Sequence, residues 1–127
     1  MTARGRFDAD VITAMQRGKI LGIRAGAQPH RFIGLWMVVV EGRVFVRSWS
    51  VKPDGWHAAF LKEPRGVVQI ADREIPIRAV QTRSERLKDA VDRAYREKYN
   101  TPGAVQYVRD LKRAKSRATT TELVPAE

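Results

Sequence analysis

Arg47, Ser48, Trp49 and Ser50 stand in a row, followed by Lys52 and, across a polar break, by Trp56 and His57. These are the residue types that hold a phosphate beside a flat ring. A guanidinium offers phosphate oxygens a fork of N–H donors. A hydroxyl adds a hydrogen bond, and an indole stacks on an aromatic face. Of the seven, His57 alone exchanges a proton near neutral pH, and no acid partner for it is identifiable. The same residues have a plainer reading, as a strand end with surface charges and with Trp56 stapling a helix to a sheet. No Gly-x-Ser-x-Gly motif, P-loop or paired-carboxylate motif is present. Cysteine is absent and the histidines are two, His30 and His57. That excludes disulfides and thiolate chemistry and makes no provision for a multi-histidine metal site.

The elements around these residues set how they could meet. Ile33–Val40 is apolar throughout and reads as a buried strand. Residues 43–50 alternate, with Val44, Val46, Ser48 and Ser50 on one face and Phe45, Arg47 and Trp49 on the other. Glu41-Gly42 joins the two runs as a hairpin. The break 51–55 leads into a helix, Trp56–Lys62, that stops before Pro64. A strand end facing a helix start, where backbone amides attract anions, is the expected cradle.

The remaining elements complete a small sheet. Residues 7–16 read as a helix with Asp8 and Asp10 in its first turn. A strand covers 19–25, with Ile20 and Ile23 out of strict phase, and a loop covers 26–31. Residues 66–71 and 75–82 read as strands around an Asp72-Arg73-Glu74 turn. Pro76 marks a strand entrance or an edge. Ser84 caps a helix over 85–99, with Asp89/Arg93 and Asp92/Arg96 as i,i+4 pairs. Residues 104–113 form a second amphipathic helix, with Lys112, Arg113, Lys115 and Arg117 as a solvated helix end or a set of phosphate contacts. Tyr95, Tyr99 and Tyr107 read as core or interface. Residues 117–124 read as a last strand that closes a Greek-key barrel.

With 127 residues and 43% hydrophobic content the chain is read as one globular domain. No apolar core follows the basic residues at its start, so no secretory signal is expected. The longest apolar run is far short of the roughly 20 residues that span a membrane. A cytoplasmic protein is the expectation. The net charge of +10 attracts anions such as phosphorylated cofactors or nucleic acid.

Four segments carry a resemblance: 44–49 (Val-Phe-Val-Arg-Ser-Trp), 55–57 (Gly-Trp-His), 94–99 (Ala-Tyr-Arg-Glu-Lys-Tyr) and 117–125 (Arg-Ala-Thr-Thr-Thr-Glu-Leu-Val-Pro). They resemble a bacterial family of short proteins of unknown function. That family is similar to the deazaflavin-dependent nitroreductases, which share the split β-barrel of flavin reductases and pyridoxamine-phosphate oxidases. Ser48, Trp56 and Pro64 match the nitroreductase pattern of a strand-end Ser, a Trp and a Pro eight residues beyond. The Lys that follows the Ser there is Trp49 here, the Gly pair is absent, and the helix His and Asn are Ala58 and Ala59.

The resemblance implies an α+β, mainly β, antiparallel split barrel with peripheral helices, forming a homodimer. It implies a flavin- or deazaflavin-dependent oxidoreductase using FMN or F420, with Ser48 and its neighbours lining the cofactor groove. Arg47 and Lys52 are then expected on phosphate, Ser48 on a hydrogen bond, and Trp49 or Trp56 on the ring. On that reading Arg47→Ala weakens cofactor binding and leaves the fold intact. The alternatives are a non-catalytic module for nucleic acid or another polyanion, and a degenerate barrel with a structural role.

Overall fold

The computed structural model describes residues 6–26 and 31–126. His30 and most of the expected 26–31 loop lie outside them. Among the described residues the elements are α1 (Ala9–Arg17), β1 (Ile20–Ala25), β2 (Ile33–Val40), β3 (Arg43–Val46), α2 (Trp56–Lys62), β4 (Arg65–Ile70), β5 (Arg73–Gln81), α3 (Glu85–Lys98), α4 (Val105–Leu111), α5 (Ala114–Arg117) and β6 (Thr121–Pro125).

The strands close into an antiparallel barrel in the order β1-β2-β3-β6-β5-β4, with β4 returning to β1. Two tight turns drive this. Glu41 and Gly42 both take positive φ, 56° and 73°, and so join β2 to β3 with the twist that two-residue hairpins need. Ala71 and Asp72 do the same between β4 and β5, at 51° and 61°. That turn falls one residue earlier than the sequence predicts, because Arg73 and Glu74 already pair with Ile70 and Gln69. β6 arrives from far along the chain and fills the gap between β3 and β5. Pro76 sits one residue before the β5–β6 ladder begins at Ile77, so its missing N–H breaks no rung there.

Alternation along the strands sorts side chains into two cores. Inside the barrel lie Leu21, Ile23, Met37, Val44, Val46, Val68, Ile77 and Leu123, plugged by Phe7 just before α1, by Val11 and Met15 of α1 and by Trp56 and Phe60 of α2. Outside it, Val38 and Phe45 pack under Leu87, Val91 and Tyr95 of α3, under its C-cap Tyr99 and under Val108 and Leu111 of α4. Ile20 and Ile23 end on opposite sides, one exposed and one wholly buried, as their broken phase requires. Ser84 caps α3 by accepting from the Leu87 amide. No helix among the described residues is long and apolar enough to cross a membrane.

Two strand predictions overreach, and the cause is shared. Residues 47–50 leave the ladder because Ser48 is bound elsewhere. Its N–H donates to Thr119 Oγ1 at 2.8 Å, and its carbonyl accepts from Ser116 Oγ. Residues 117–120 turn rather than extend, because Thr119 and Thr120 hydroxyls donate back to the carbonyls of Ser116 and Arg117 at 2.6 Å each. Such short-range bonds compete with a sheet ladder.

Candidate functional site

Arg47 follows Phe45 on the outer face of the barrel, and α3 and α4 cover it. Its Nε donates to Thr120 Oγ1 (2.8 Å), Nη1 to Asp92 Oδ1 (2.5 Å) and the Leu111 carbonyl (3.0 Å), and Nη2 to the Lys88 carbonyl (3.0 Å). The side chain is fully enclosed. Arg47 as a phosphate hook is therefore a correction. A guanidinium satisfied on this many sides ties α3, α4 and the segment before β6 to the barrel and leaves no exposed fork. Asp92 also accepts from Arg117 at 2.7 Å, and Asp89 accepts from Arg117 at 2.8 Å. The i,i+4 pairs expected along α3 give way to these contacts across elements. A buried guanidinium recruits a carboxylate more strongly than a solvated helix neighbour does.

The other predicted residues disperse. Trp56 is buried in the inner core and meets Phe60 edge-on at 6.1 Å, so it staples α2 and is closed to a ligand ring. His57 is half-buried, with its Nε2 2.8 Å from Gln81 Oε1. Ser48 is buried, and its Oγ accepts from the Val51 amide. Trp49, Ser50 and Lys52 are exposed. The strand end and the α2 start therefore do not form one cradle. The short α2 has no side-chain cap.

The structure instead builds around Trp49. A cleft of about 270 Å³ is lined by Gly34, Leu35, Trp36, Arg47, Trp49, Tyr107 and Leu111. Trp36, on the outer face of β2, stacks on Tyr99, the C-cap of α3, at 4.4 Å with the rings 1° from parallel. Tyr107 of α4 stands edge-on to Trp36 at 6.0 Å and to Trp49 at 5.7 Å. The Trp49 indole N–H donates to Asp110 Oδ2 at 3.0 Å, which fixes the ring. Trp49 is 57% exposed and Tyr107 41%. Solvent exposure of ordered aromatic walls marks a recognition surface more than a core. Enclosed Arg47 sits among the apolar lining as a fixed positive charge.

Trp49 also walls a second cleft, of about 320 Å³, together with Ser50, Val51, Asp110, Arg113, Lys115 and Ser116. Val51 holds φ at 48°, a strained setting for a β-branched residue. The clefts use Arg47, Trp49 and Ser50 from the predicted set, Arg47 as enclosed lining. They also use Trp36, read as part of a buried strand, Tyr107, read as core or interface, Asp110, which carried no signal, and Arg113 and Lys115, read as a solvated helix end or phosphate contacts. Only the basic run at 112–117 signalled part of this in advance. Arg117 drops out of it, bound to Glu85, Asp89 and Asp92.

A closed antiparallel barrel with helices packed on its outer wall, and an aromatic cleft where helix meets barrel, defines a small α+β barrel class. Residues 8–123 match the family described as "Uncharacterized protein conserved in bacteria (DUF2255)", and the chain belongs to that family. Among solved structures it is similar to the conserved hypothetical protein Rv2991 from Mycobacterium tuberculosis. The TM-score is 0.62 at 14% identity, over 100% of this chain and 85% of that one. At that identity the likeness is one of fold. No curated protein matches the sequence.

Proposed function

We propose that the protein binds a flavin or deazaflavin, FMN or F420, with the ring in the cleft between Trp36, Trp49 and Tyr107, and serves as an oxidoreductase of the split-barrel type. The observation that carries this reading is the set of three aromatic walls, two of them exposed, around a cavity just below the range typical of small-molecule sites. A cavity of that size suits a planar ring system rather than a whole nucleotide. Trp49 and Tyr107 would sandwich or edge the ring, and Trp36 would support it from the barrel wall. Arg47, enclosed and ion-paired with Asp92, would serve as part of the fixed lining of the cleft rather than as a ligand to the cofactor. A bound flavin supplies hydride transfer; the protein supplies orientation and field. Within this cleft Tyr107 carries the only hydroxyl, and His57 is not part of the lining.

The test is the visible spectrum of the purified protein, followed by titration with FMN and F420 while their fluorescence is monitored. Saturable binding that Trp49→Ala and Tyr107→Ala weaken supports the reading. No binding of either at tens of micromolar overturns it and leaves a structural barrel.

A homodimer accompanies this proposal. Ile20 and Ile33 are exposed on neighbouring strands, 58% and 47%, and pairing would cover them. Sedimentation equilibrium tests it. A polyanion-binding role draws on a different observation. Arg93, Arg96, Arg109 and Lys112 are exposed and have no ion pair among the described residues. It predicts a gel shift with nucleic acid that fades steeply with salt.

A further inference from the structure

We propose that the second cleft, which shares Trp49 with the first, is the phosphate subsite of the same ligand, with Arg113 and Lys115 as its cations. This rests on the reading of the first cleft as a ring site, and it adds the class of ligand: an aromatic ring joined to an anionic tail. The two cavities share the Trp49 side chain as a wall. Leu111 of the first and Asp110 of the second are consecutive residues of α4, so one helix serves both.

The charge of the second cleft suits an anion. Lys115 is exposed and has no partner among the described residues. Arg113 contacts Asp110 at 3.4 Å through one nitrogen, and its side chain is 74% exposed, so most of its fork of donors faces solvent. Asp110 is the one carboxylate present. It is held between the Trp49 indole N–H and Arg113, which offsets its repulsion of an anion. Ser50 adds an exposed hydroxyl, whereas Ser116 is spent on the Ser48 carbonyl. Lys52 lines neither cavity. The phosphate contacts expected of Arg47 and Lys52 are therefore reassigned to the α4–α5 corner. The strained backbone at Val51 and the bonds from Ser48 hold the Trp49 loop in the one shape that gives both cavities their common wall.

Comparing FMN with riboflavin, which has the same ring and no phosphate, separates the tail from the ring. The wild type is expected to bind FMN about tenfold more tightly or better, the scale of charge-assisted hydrogen bonds, with an advantage that shrinks as salt rises. The double variant Arg113→Gln/Lys115→Gln is expected to lose that advantage and keep its riboflavin affinity. Equal binding of FMN and riboflavin by the wild type overturns the subsite while the ring reading stands. If FMN, riboflavin and F420 all fail to bind, the ring reading fails, and inorganic phosphate tests the subsite alone. Movement of the Trp49 indole N–H resonance on phosphate addition, identified with Trp49→Phe and abolished in the double variant, supports an anion site. An unmoved resonance overturns it.

Discussion

Arg47 and Asp92 meet at 2.5 Å between Nη1 and Oδ1, with the arginine side chain wholly enclosed and the carboxylate 20% exposed. Asp92 is thus the one anion that compensates a charge removed from water, and it also steadies Arg117. Pairs of this kind add little net stability, yet breaking one side leaves an uncompensated buried charge.

Asp92→Asn is expected to destabilise the protein by about 3 kcal/mol or more, the usual scale for removing one partner of a buried pair. The double variant Arg47→Met/Asp92→Asn removes both charges and is expected to be more stable than Asp92→Asn alone. Urea unfolding of the three proteins measures this. Arg47→Ala, in turn, lowers stability in the same assay; it reports on the fold rather than on ligand affinity.

Trp49→Ala and Tyr107→Ala should separate binding from folding. Both side chains are partly exposed and lie outside the two cores, so each change is expected to cost about 1–2 kcal/mol, the scale of the ring contacts and hydrogen bond it removes, and to leave the protein folded. Each should weaken ring binding about tenfold, since an aromatic contact is worth roughly 1 kcal/mol beyond the area it buries. Fluorescence titration beside thermal melts reads both effects. A large loss of stability in either variant would show that the cleft walls are structural.

Lys98 confers a pH dependence on stability. Its Nζ donates to the carbonyls of Met15 and Met37 at 2.8 and 3.1 Å, and burial brings its pKa down to about 8 from 10.5. The folded protein therefore binds this proton less tightly than the unfolded chain. Its contribution to stability rises as pH climbs from about 8 toward 10.5. Burial pushes the Tyr95 and Tyr99 phenols up, so they oppose the rise only from about pH 10, where unfolded tyrosines ionise. Denaturant unfolding from pH 7 to 10 should show a positive slope that Lys98→Met flattens. Equal slopes in the two proteins would remove Lys98 as the source.

Gly66 carries Phe60. A methyl group at Gly66 would stand 2.5 Å from the Arg24 carbonyl oxygen and 2.8 Å from the Phe60 ring. Gly66→Ala must shift either the β1–β4 seam or the α2 plug. The expected cost is about 1–3 kcal/mol, typical of overpacking. The midpoint of urea unfolding checks it. A change below about 0.5 kcal/mol would mean that the ring moves aside freely.

The barrel was legible because its signals are local. Glu41-Gly42 between an apolar run and an alternating one specifies a hairpin whatever lies around it. The period of α3, with Leu87, Val91, Tyr95 and Tyr99 on one stripe, specifies which face is buried. Even the out-of-phase pair Ile20 and Ile23 foretold its own outcome, one side chain out and one in.

The site was not legible in the same way. Arg47 has the chemistry of a phosphate ligand in any sequence. What decided its role was the arrival of Asp92, Leu111 and Thr120 from 45, 64 and 73 residues away. Trp49 and Trp56 look alike in a list of residues, and only the packing put Trp49 on the clefts and Trp56 in the inner core. The sequence by itself determined periodicity, turns and net charge, because those depend on neighbours along the chain. Which polar groups are satisfied and which face solvent depends on neighbours in space, and the tertiary structure alone decided that.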